Sequence, residues 1–310
     1  MEFAHTPVLL NEVIAGLNLK STGIYVDATI GGAGHSYQIL SRLTTGHLYG
    51  FDQDATAIET SRAHLQTLSL NNFTLFHKNF EFIKEELEKI GVTRVDGILF
   101  DLGVSSFQFD APERGFSYRH DAKLDMRMNQ DQGFSAYDIV NTYSEADLAR
   151  ILFTYGEEKY ARSIARKIVA VRSERAITTT FELVDIIRSA VPSQYLKGTH
   201  PAKKTFQALR IETNNELGIL QESLEKALSL LNHGGRLAVI SFHSLEDRLV
   251  KDVFNKYAKE TQPNRFAPIN LTPEKLDYKL ITKKPILPSE MEVNENRRSH
   301  SAKLRIIERF

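Results

Sequence analysis

Apolar and polar positions along the first hundred residues alternate between two rhythms. Short β-branched or aromatic runs occur at Ile24 to Ala28, His47 to Phe51, Phe73 to Phe76 and Val95 to Phe100. Between them apolar residues recur at helical spacing, as at Tyr37, Leu40 and Leu43. The first rhythm predicts buried strands and the second amphipathic helices. Strands separated by helices need crossover connections, which predicts a parallel sheet covered on both faces.

From about Ser135 to Val191 only the helical rhythm continues. Ser144 with Asp147 has the form of a capping box for a helix bearing Leu148, Ile151, Leu152 and Tyr155. Ala161, Ile164, Ala165, Ile168 and Val169 mark a second helix, and Thr179 with Glu182 caps a third carrying Leu183, Val184, Ile186 and Ile187. A long helix follows, with Leu217, Leu220, Leu224, Leu228 and Leu231 on one face, and it is predicted to stop at Gly234-Gly235 before a strand over 236–242. One crossover unit takes only about 30 residues, so the stretch between Phe100 and Arg236 is too long for one. The expected fold class is therefore α/β, a Rossmann-like sheet with an inserted all-helical subdomain. The expected boundaries are 1–134 and 206–310 for the sheet domain and 135–205 for the insert. Two sequential domains are the alternative, but the tail after Phe242 offers too few strands for a second sheet.

Composition narrows the chemistry more than the fold. With 42% hydrophobic and 25% charged residues over 310 positions, the chain has the balance of a globular protein. The start, Met1-Glu2-Phe3-Ala4-His5-Thr6-Pro7, lacks a basic stretch leading into an apolar one, and no apolar run approaches the roughly 18 residues of a membrane span. A cytoplasmic protein without a membrane partner is expected. There is no cysteine, which excludes disulfides, thiolate metal sites and a thiol nucleophile. The formal net charge is zero, so a polyanionic partner has to be held by local patches.

The candidate ligand site lies where the first strand meets Gly31-Gly32-Ala33-Gly34. A glycine-rich turn there lets a ligand approach the backbone closely. Asp52, about twenty residues on, ends the next strand, where a carboxylate accepts ribose hydroxyls. Asp27, Asp52 and Asp101 stand at three successive strand ends, the side of an open α/β sheet that binds ligands. Tyr37 occupies the third glycine position of G-x-G-x-x-G, which weakens a dinucleotide reading, and no G-x-x-x-x-G-K-[ST] run exists. A nucleoside cofactor without phosphate, S-adenosylmethionine, suits the turn. Asn79-Phe80 after the third strand offers an apolar face for adenine, though Phe80 taken alone reads better as core. Asp101-Leu102-Gly103-Val104 follows the fourth strand.

The runs 27–36 (DATIGGAGHS), 101–106 (DLGVSS), 114–117 (RGFS), 124–128 (LDMRM), 205–211 (TFQALRI) and 241–248 (SFHSLEDR) together resemble the bacterial 16S ribosomal RNA (cytosine-N4)-methyltransferases of the small subunit. The likeness extends from His5 to Ile306. It implies a class I methyltransferase fold with an inserted helical domain, S-adenosylmethionine as donor, and N4 methylation of one cytosine in the decoding region of 16S rRNA. It also implies cofactor contacts at Ala33, Gly34, His35, Asp52, Phe80, Asp101 and Gln108, with Ala33 standing where the family often has glycine. No metal site is expected.

The cytosine amino group is a poor nucleophile because its lone pair is delocalised into the ring. A carboxylate accepting its protons localises that pair, and Asp101 is the first candidate for this catalytic role. Leu102-Gly103-Val104 replaces the aromatic of a D-P-P-Y turn, leaving Phe107 or Phe109 as stacking candidates. C5 methylation by thiolate attack is excluded, whereas ribose-oxygen methylation with Lys203 or Lys204 stays open. His243 is read as a packing residue ahead of a Ser244–Asp247 capping box, and Asp125 and Arg127 either contact RNA or fix a loop. Candidate phosphate contacts are Lys203-Lys204, Lys283-Lys284, Arg297-Arg298, Lys303, Arg305 and Arg309, with Arg162, Arg166, Lys167, Arg172 and Arg175 on the insert. A small-molecule or protein methyltransferase and a non-catalytic RNA-binding factor are the competing functions.

Overall fold

The computed structural model describes residues 7–103, 111–198, 200–258 and 277–310. Its backbone forms two compact units, one of residues up to Gly103 joined by Leu217–Phe310, the other Val104–Glu216.

The first unit is built on a seven-stranded sheet. In chain order its elements are α1 (Leu10–Leu17), β1 (Ile24–Asp27), α2 (Gly34–Leu40), β2 (His47–Asp52), α3 (Ala55–Gln66), β3 (Phe73–His77), α4 (Ile83–Lys89) and β4 (Val95–Asp101). The four predicted strands are all present. Spatial order is β3-β2-β1-β4, every neighbouring pair parallel, because each strand is followed by a helical crossover. Strands β1, β2 and β4 read as continuous apolar runs because both faces are covered: Val26, Phe51, Ile98 and Phe100 pack into one apolar cluster, and Tyr25, Leu48 and Leu99 into the other.

The second unit interrupts that sheet. Its helices are α5 (Ala136–Thr142), α6 (Glu145–Thr154), α7 (Ala161–Arg172), α8 (Thr180–Ala190) and α9 (Lys203–Asn214). Both predicted caps are made: Ser144 Oγ accepts from the Asp147 N–H at 3.1 Å, and Thr179 and Glu182 cap α8 reciprocally. Leu148, Ile151, Leu152, Ile164, Ile168, Leu183 and Ile187 are fully buried together, as the periodicity requires. The unit is wider than the expected 135–205 because Phe116, Leu124, Met126, Met128 and Phe206, which lie outside those bounds, are buried in the same core. Leu124, Met126 and Met128 alternate with polar Asp125 and Arg127, but the alternation lasts only five residues and reads as a short strand rather than as part of a helical core.

The chain re-enters the sheet through α10 (Glu216–Leu230) and β5 (Leu231–Ser241), followed by α11 (Ser244–Ala258), β6 (Tyr278–Leu280), α12 (Glu290–Glu295) and β7 (Lys303–Arg309). Leu231, expected on the helix face, instead opens β5 opposite Val95, and the register shifts before Arg236 pairs with Gly97. A buried leucine at a helix–strand boundary fits either rhythm, and pairing with β4 decides it. β5 lies parallel to β4, whereas β7 is antiparallel to both β5 and β6, completing the order β3-β2-β1-β4-β5-β7-β6. This is the expected α/β, Rossmann-like sheet, with β7 antiparallel to its neighbours. No helix among the described residues is long and apolar enough to cross a membrane.

Candidate functional site

The chain reversal after β1 creates the centre of the site. Gly31 and Ala33 both take left-handed backbone, with φ of 51° and 60°. Ala33 is fully buried and precedes α2, so its methyl group sits in the core despite the unfavourable φ. At Gly34 a Cβ would lie 2.4 Å from Pro7 Cγ, which explains why no side chain is present there. Ser61 Oγ donates to the Gly31 carbonyl at 2.6 Å, and His64 Nδ1 contacts the Gly32 carbonyl at 2.9 Å, so α3 braces the turn from outside.

The three strand-end carboxylates are gathered around this turn. Asp52 Oδ2 accepts from the Gly31 N–H at 3.0 Å, and Oδ1 from the Asp54 N–H at 2.9 Å. Asp27 accepts from Ser36 Oγ at 2.7 Å and from the Thr29 N–H at 3.2 Å. The Asp101 N–H donates to Thr29 Oγ1 at 2.6 Å, which fixes the end of β4 to the turn after β1. Asp101 Oδ2 lies 3.5 Å from Nδ1 of His35, while its Oδ1 is buried without a hydrogen-bond partner among the described residues. Among the described residues the groups bonded to Asp27 and Asp52 are backbone N–H groups and a serine hydroxyl, not lysine or arginine.

That arrangement raises the proton affinity of every acid in it. Burial pushes Asp27 up to about 6 against the opposing bonds from Ser36 and Thr29. Burial likewise pushes Asp52 to about 6, the bonds from Asp54 and Gly31 holding it back. Asp101 rises furthest, to about 8, through burial and the charges of Asp27 and Glu246. His35 is 5% exposed and burial draws it down to about 4, although its Nε2 bonds to the Val8 carbonyl at 3.0 Å. An anionic, phosphate-repelling cradle of this kind fits a cationic nucleoside better than a dinucleotide.

At the third strand end Asn79 Nδ2 donates to Gln53 Oε1 at 2.8 Å, joining the loops after β2 and β3. Phe80 follows, partly buried, its ring edge-on to Phe100 with centroids 5.3 Å apart. Gln108, Phe107 and Phe109 lie outside the described residues. The structure thus brings together Ala33, Gly34, His35, Asp52 and Asp101 around one turn, with Phe80 beside the next strand. Thr29 and Ser36 lie within the 27–36 run but were not singled out, and Ser61 and the Val8 carbonyl had no signal in the sequence.

The fit extends to the whole chain. Residues 2–310 match the model of the MraW methylase family. The chain belongs to that family. This MraW-family methylase is 54% identical over 311 residues to the ribosomal RNA small subunit methyltransferase H of Limosilactobacillus fermentum, covering all of this chain and 99% of that protein. It is 52% identical to the protein of the same name from Clostridioides difficile, with both chains covered completely. The methylase uses S-adenosylmethionine, and the chemistry of the residues present is compatible with that cationic nucleoside: three acids at strand ends, with Asp101 Oδ1 an open acceptor among the described residues.

Elsewhere in the methylase several candidate RNA contacts are already engaged. Arg305 and Lys303 bond Asp247 at 2.6 and 3.2 Å, and Arg309 donates to the Leu231 carbonyl at 2.8 Å. In the second unit Arg172 holds the Val140 and Tyr143 carbonyls at the end of α5, and Arg175 pairs with Glu182. Arg127 grips Asp125 with two bonds of 2.8 Å and donates to the Gln130 and Gln132 carbonyls, the geometry of a fixed loop. His243 Nδ1 accepts from the Glu246 N–H at 3.3 Å, and Glu246 Oε2 accepts from the N–H groups of Phe242 and His243. Glu246 thus folds back over the entry to α11, and Asp247, expected in the capping box, is the partner of Arg305. Arg162, Arg166 and Lys167 remain exposed along α7.

Proposed function

We propose that the chain methylates N4 of one cytosine in the decoding region of 16S rRNA, acting in the cytoplasm on the small ribosomal subunit. Full-length identity to proteins named ribosomal RNA small subunit methyltransferase H supports the RNA class. The observation that carries the chemistry is Oδ1 of Asp101 at a strand end, an acceptor without a donor among the described residues. S-adenosylmethionine supplies an electrophilic methyl group on sulfur. Asp52 accepts the ribose hydroxyls, the backbone of Ala33, Gly34 and His35 lines the turn, and Phe80 flanks the adenine. Gln108 completes the expected cofactor contacts. Asp101 accepts a proton of the amino group and so localises the nitrogen lone pair toward the methyl carbon. Holding the two reactants in line supplies much of the acceleration, on the order of 7–11 kcal/mol in well-oriented systems.

The helical unit, with 135–205 at its centre, serves as the RNA-recognition domain, and exposed Arg162, Arg166 and Lys167 meet phosphates there. The target base leaves its stack to reach the strand ends. The absence of cysteine fits N4 rather than C5 chemistry. Incubation with labelled S-adenosylmethionine and small subunits lacking the modification tests the reading. Mass mapping of digested 16S RNA should place the label on cytosine N4; label confined to C5 or ribose, or turnover without RNA, overturns it.

A further inference from the structure

His35 and Asp101 meet in a way that cofactor contact alone does not explain. Nε2 of the buried ring lies 3.0 Å from the Val8 carbonyl oxygen. A carbonyl only accepts, so Nε2 carries hydrogen, and Nδ1 of the neutral ring is a bare lone pair. That lone pair faces Asp101 Oδ2 at 3.5 Å, an acceptor opposite an acceptor unless one of them is protonated. The distance is at the long end of the range, as is common where a catalytic pair has not yet closed on a ligand. Among the described residues Asp101 Oδ1 has no donor to stabilise a charge. The charged groups bearing on Asp101 are Asp27 from β1 and Glu246 from α11, both acidic, and burial with these charges moves it to about 8. Burial takes His35 the other way, to about 4. Near neutral pH the proton therefore belongs to Asp101 and points at His35.

We infer that His35 and Asp101 hold one proton between them in the ligand-free site, surrender it when a sulfonium ligand binds, and recover it from the methyl acceptor. The inference rests on the donor and reaction proposed above and adds the fate of the proton. Asp101 is ionised beside the cation. As the nitrogen–methyl bond forms, the methyl–sulfur bond breaks, its electron pair staying on sulfur as a neutral thioether. Asp101 takes the proton that the methylated nitrogen sheds, and the acid–imidazole pair is restored. His35 is a positioning residue: its Val8 bond fixes the tautomer, and its bare Nδ1 holds the returning proton.

Titration calorimetry on the full chain, in buffers of different ionisation enthalpy, tests this with S-adenosylmethionine and S-adenosylhomocysteine. The two ligands differ at the reacting centre by the sulfonium charge, so shared contacts cancel. At pH 7 about nine-tenths of a proton more should be released with the sulfonium ligand, as expected for a group titrating about one unit higher. The affinity ratio of the two ligands should rise about tenfold per pH unit below about 8 and level off above it. Asp101→Asn, which keeps the shape, should flatten that profile. His35→Gln keeps a donor for the Val8 carbonyl but removes Nδ1, and should move the midpoint toward acid by about half to one pH unit. Equal proton counts for the two ligands, or an unmoved midpoint in a folded His35→Gln protein, overturn the inference. If His35→Gln does not fold, the wild-type count and the Asp101→Asn profile still decide it. Binding of neither ligand overturns the donor assignment and the inference with it.

Discussion

Replacing Asp52 by asparagine tests the centre of the site most directly. Its two oxygens each accept a backbone N–H, from Gly31 and Asp54, while the carboxylate is proposed to hold the ribose as well. An amide leaves one acceptor oxygen, so one of those N–H groups faces an NH2, and one hydroxyl acceptor is lost. A hydrogen bond to a charged group contributes about 1.5–3 kcal/mol, equivalent to a loss of about 10- to 150-fold in affinity. Calorimetry with S-adenosylhomocysteine is the suitable assay, because that ligand does not engage the Asp101 proton. The pH dependence supplies a second signature. Burial, outweighing the bonds from Asp54 and Gly31, raises Asp52 to about 6, and the ribose prefers the ionised form. Wild-type affinity should therefore fall about tenfold per unit as pH drops below about 6, while that of Asp52→Asn stays level. A variant that binds as tightly as wild type at pH 8, or a wild-type affinity flat between pH 5 and 7, would refute the ribose role.

Other expectations follow from buried groups. Asp27, raised to about 6 by burial despite the Ser36 bond, favours the native state while protonated. The unfolding free energy of wild type relative to Asp27→Asn, from denaturant titration, should thus be highest below about pH 4 and decline by up to about 3 kcal/mol as pH rises through about 6. Asp247→Ala leaves the buried Arg305 without its carboxylate and should cost about 3–5 kcal/mol in denaturant unfolding, marking these residues as structural rather than RNA-facing. Arg172→Ala exposes two carbonyl groups at the end of α5 and should destabilise by about 1.5–3 kcal/mol, with cofactor affinity unchanged in calorimetry. Lys167→Ala should leave the melting temperature in place but lower the slope of RNA affinity against log salt by about one contact.

The site was legible in the sequence to the extent that its chemistry sits at the ends of rhythmic segments. Asp27, Asp52 and Asp101 could be read because each closes an apolar strand, and the glycine-rich turn because it lies between a strand and a helix. The contacts that tune them were not legible. Val8 reaches His35 across 27 positions, and Thr29 reaches the Asp101 backbone across 72, with no periodicity linking them. The insert was visible as a break in strand rhythm, yet the burial of Leu124, Met126 and Met128 in its core was not, since their five-residue alternation points to a strand and not to a helical core. The basic strand β7 misled for a related reason. Its alternating Lys303 and Arg305 look like an open cationic face until α11 places Asp247 against them.

The clustered acids raise a physical question, since unpaired carboxylates at buried strand ends oppose folding. Here the cost is limited by protonation and by backbone donors. Asp101 is neutral near pH 7 in the empty site, and Asp27 and Asp52 are held by N–H groups and Ser36. A cationic ligand then finds two charges in place and can induce a third. The sulfur of the product is no longer charged, and in the proposed cycle the proton shed by the acceptor neutralises Asp101 in the same step. The attraction that favoured the donor is thereby withdrawn as the reaction completes. The turn and Asp52 are left to hold a nucleoside that has lost its charge complement, and the resting protonation state returns without waiting for solvent. In the proposed cycle the site's discrimination between donor and product therefore lies in Asp101 and His35, while its affinity for the nucleoside common to both lies in Asp52.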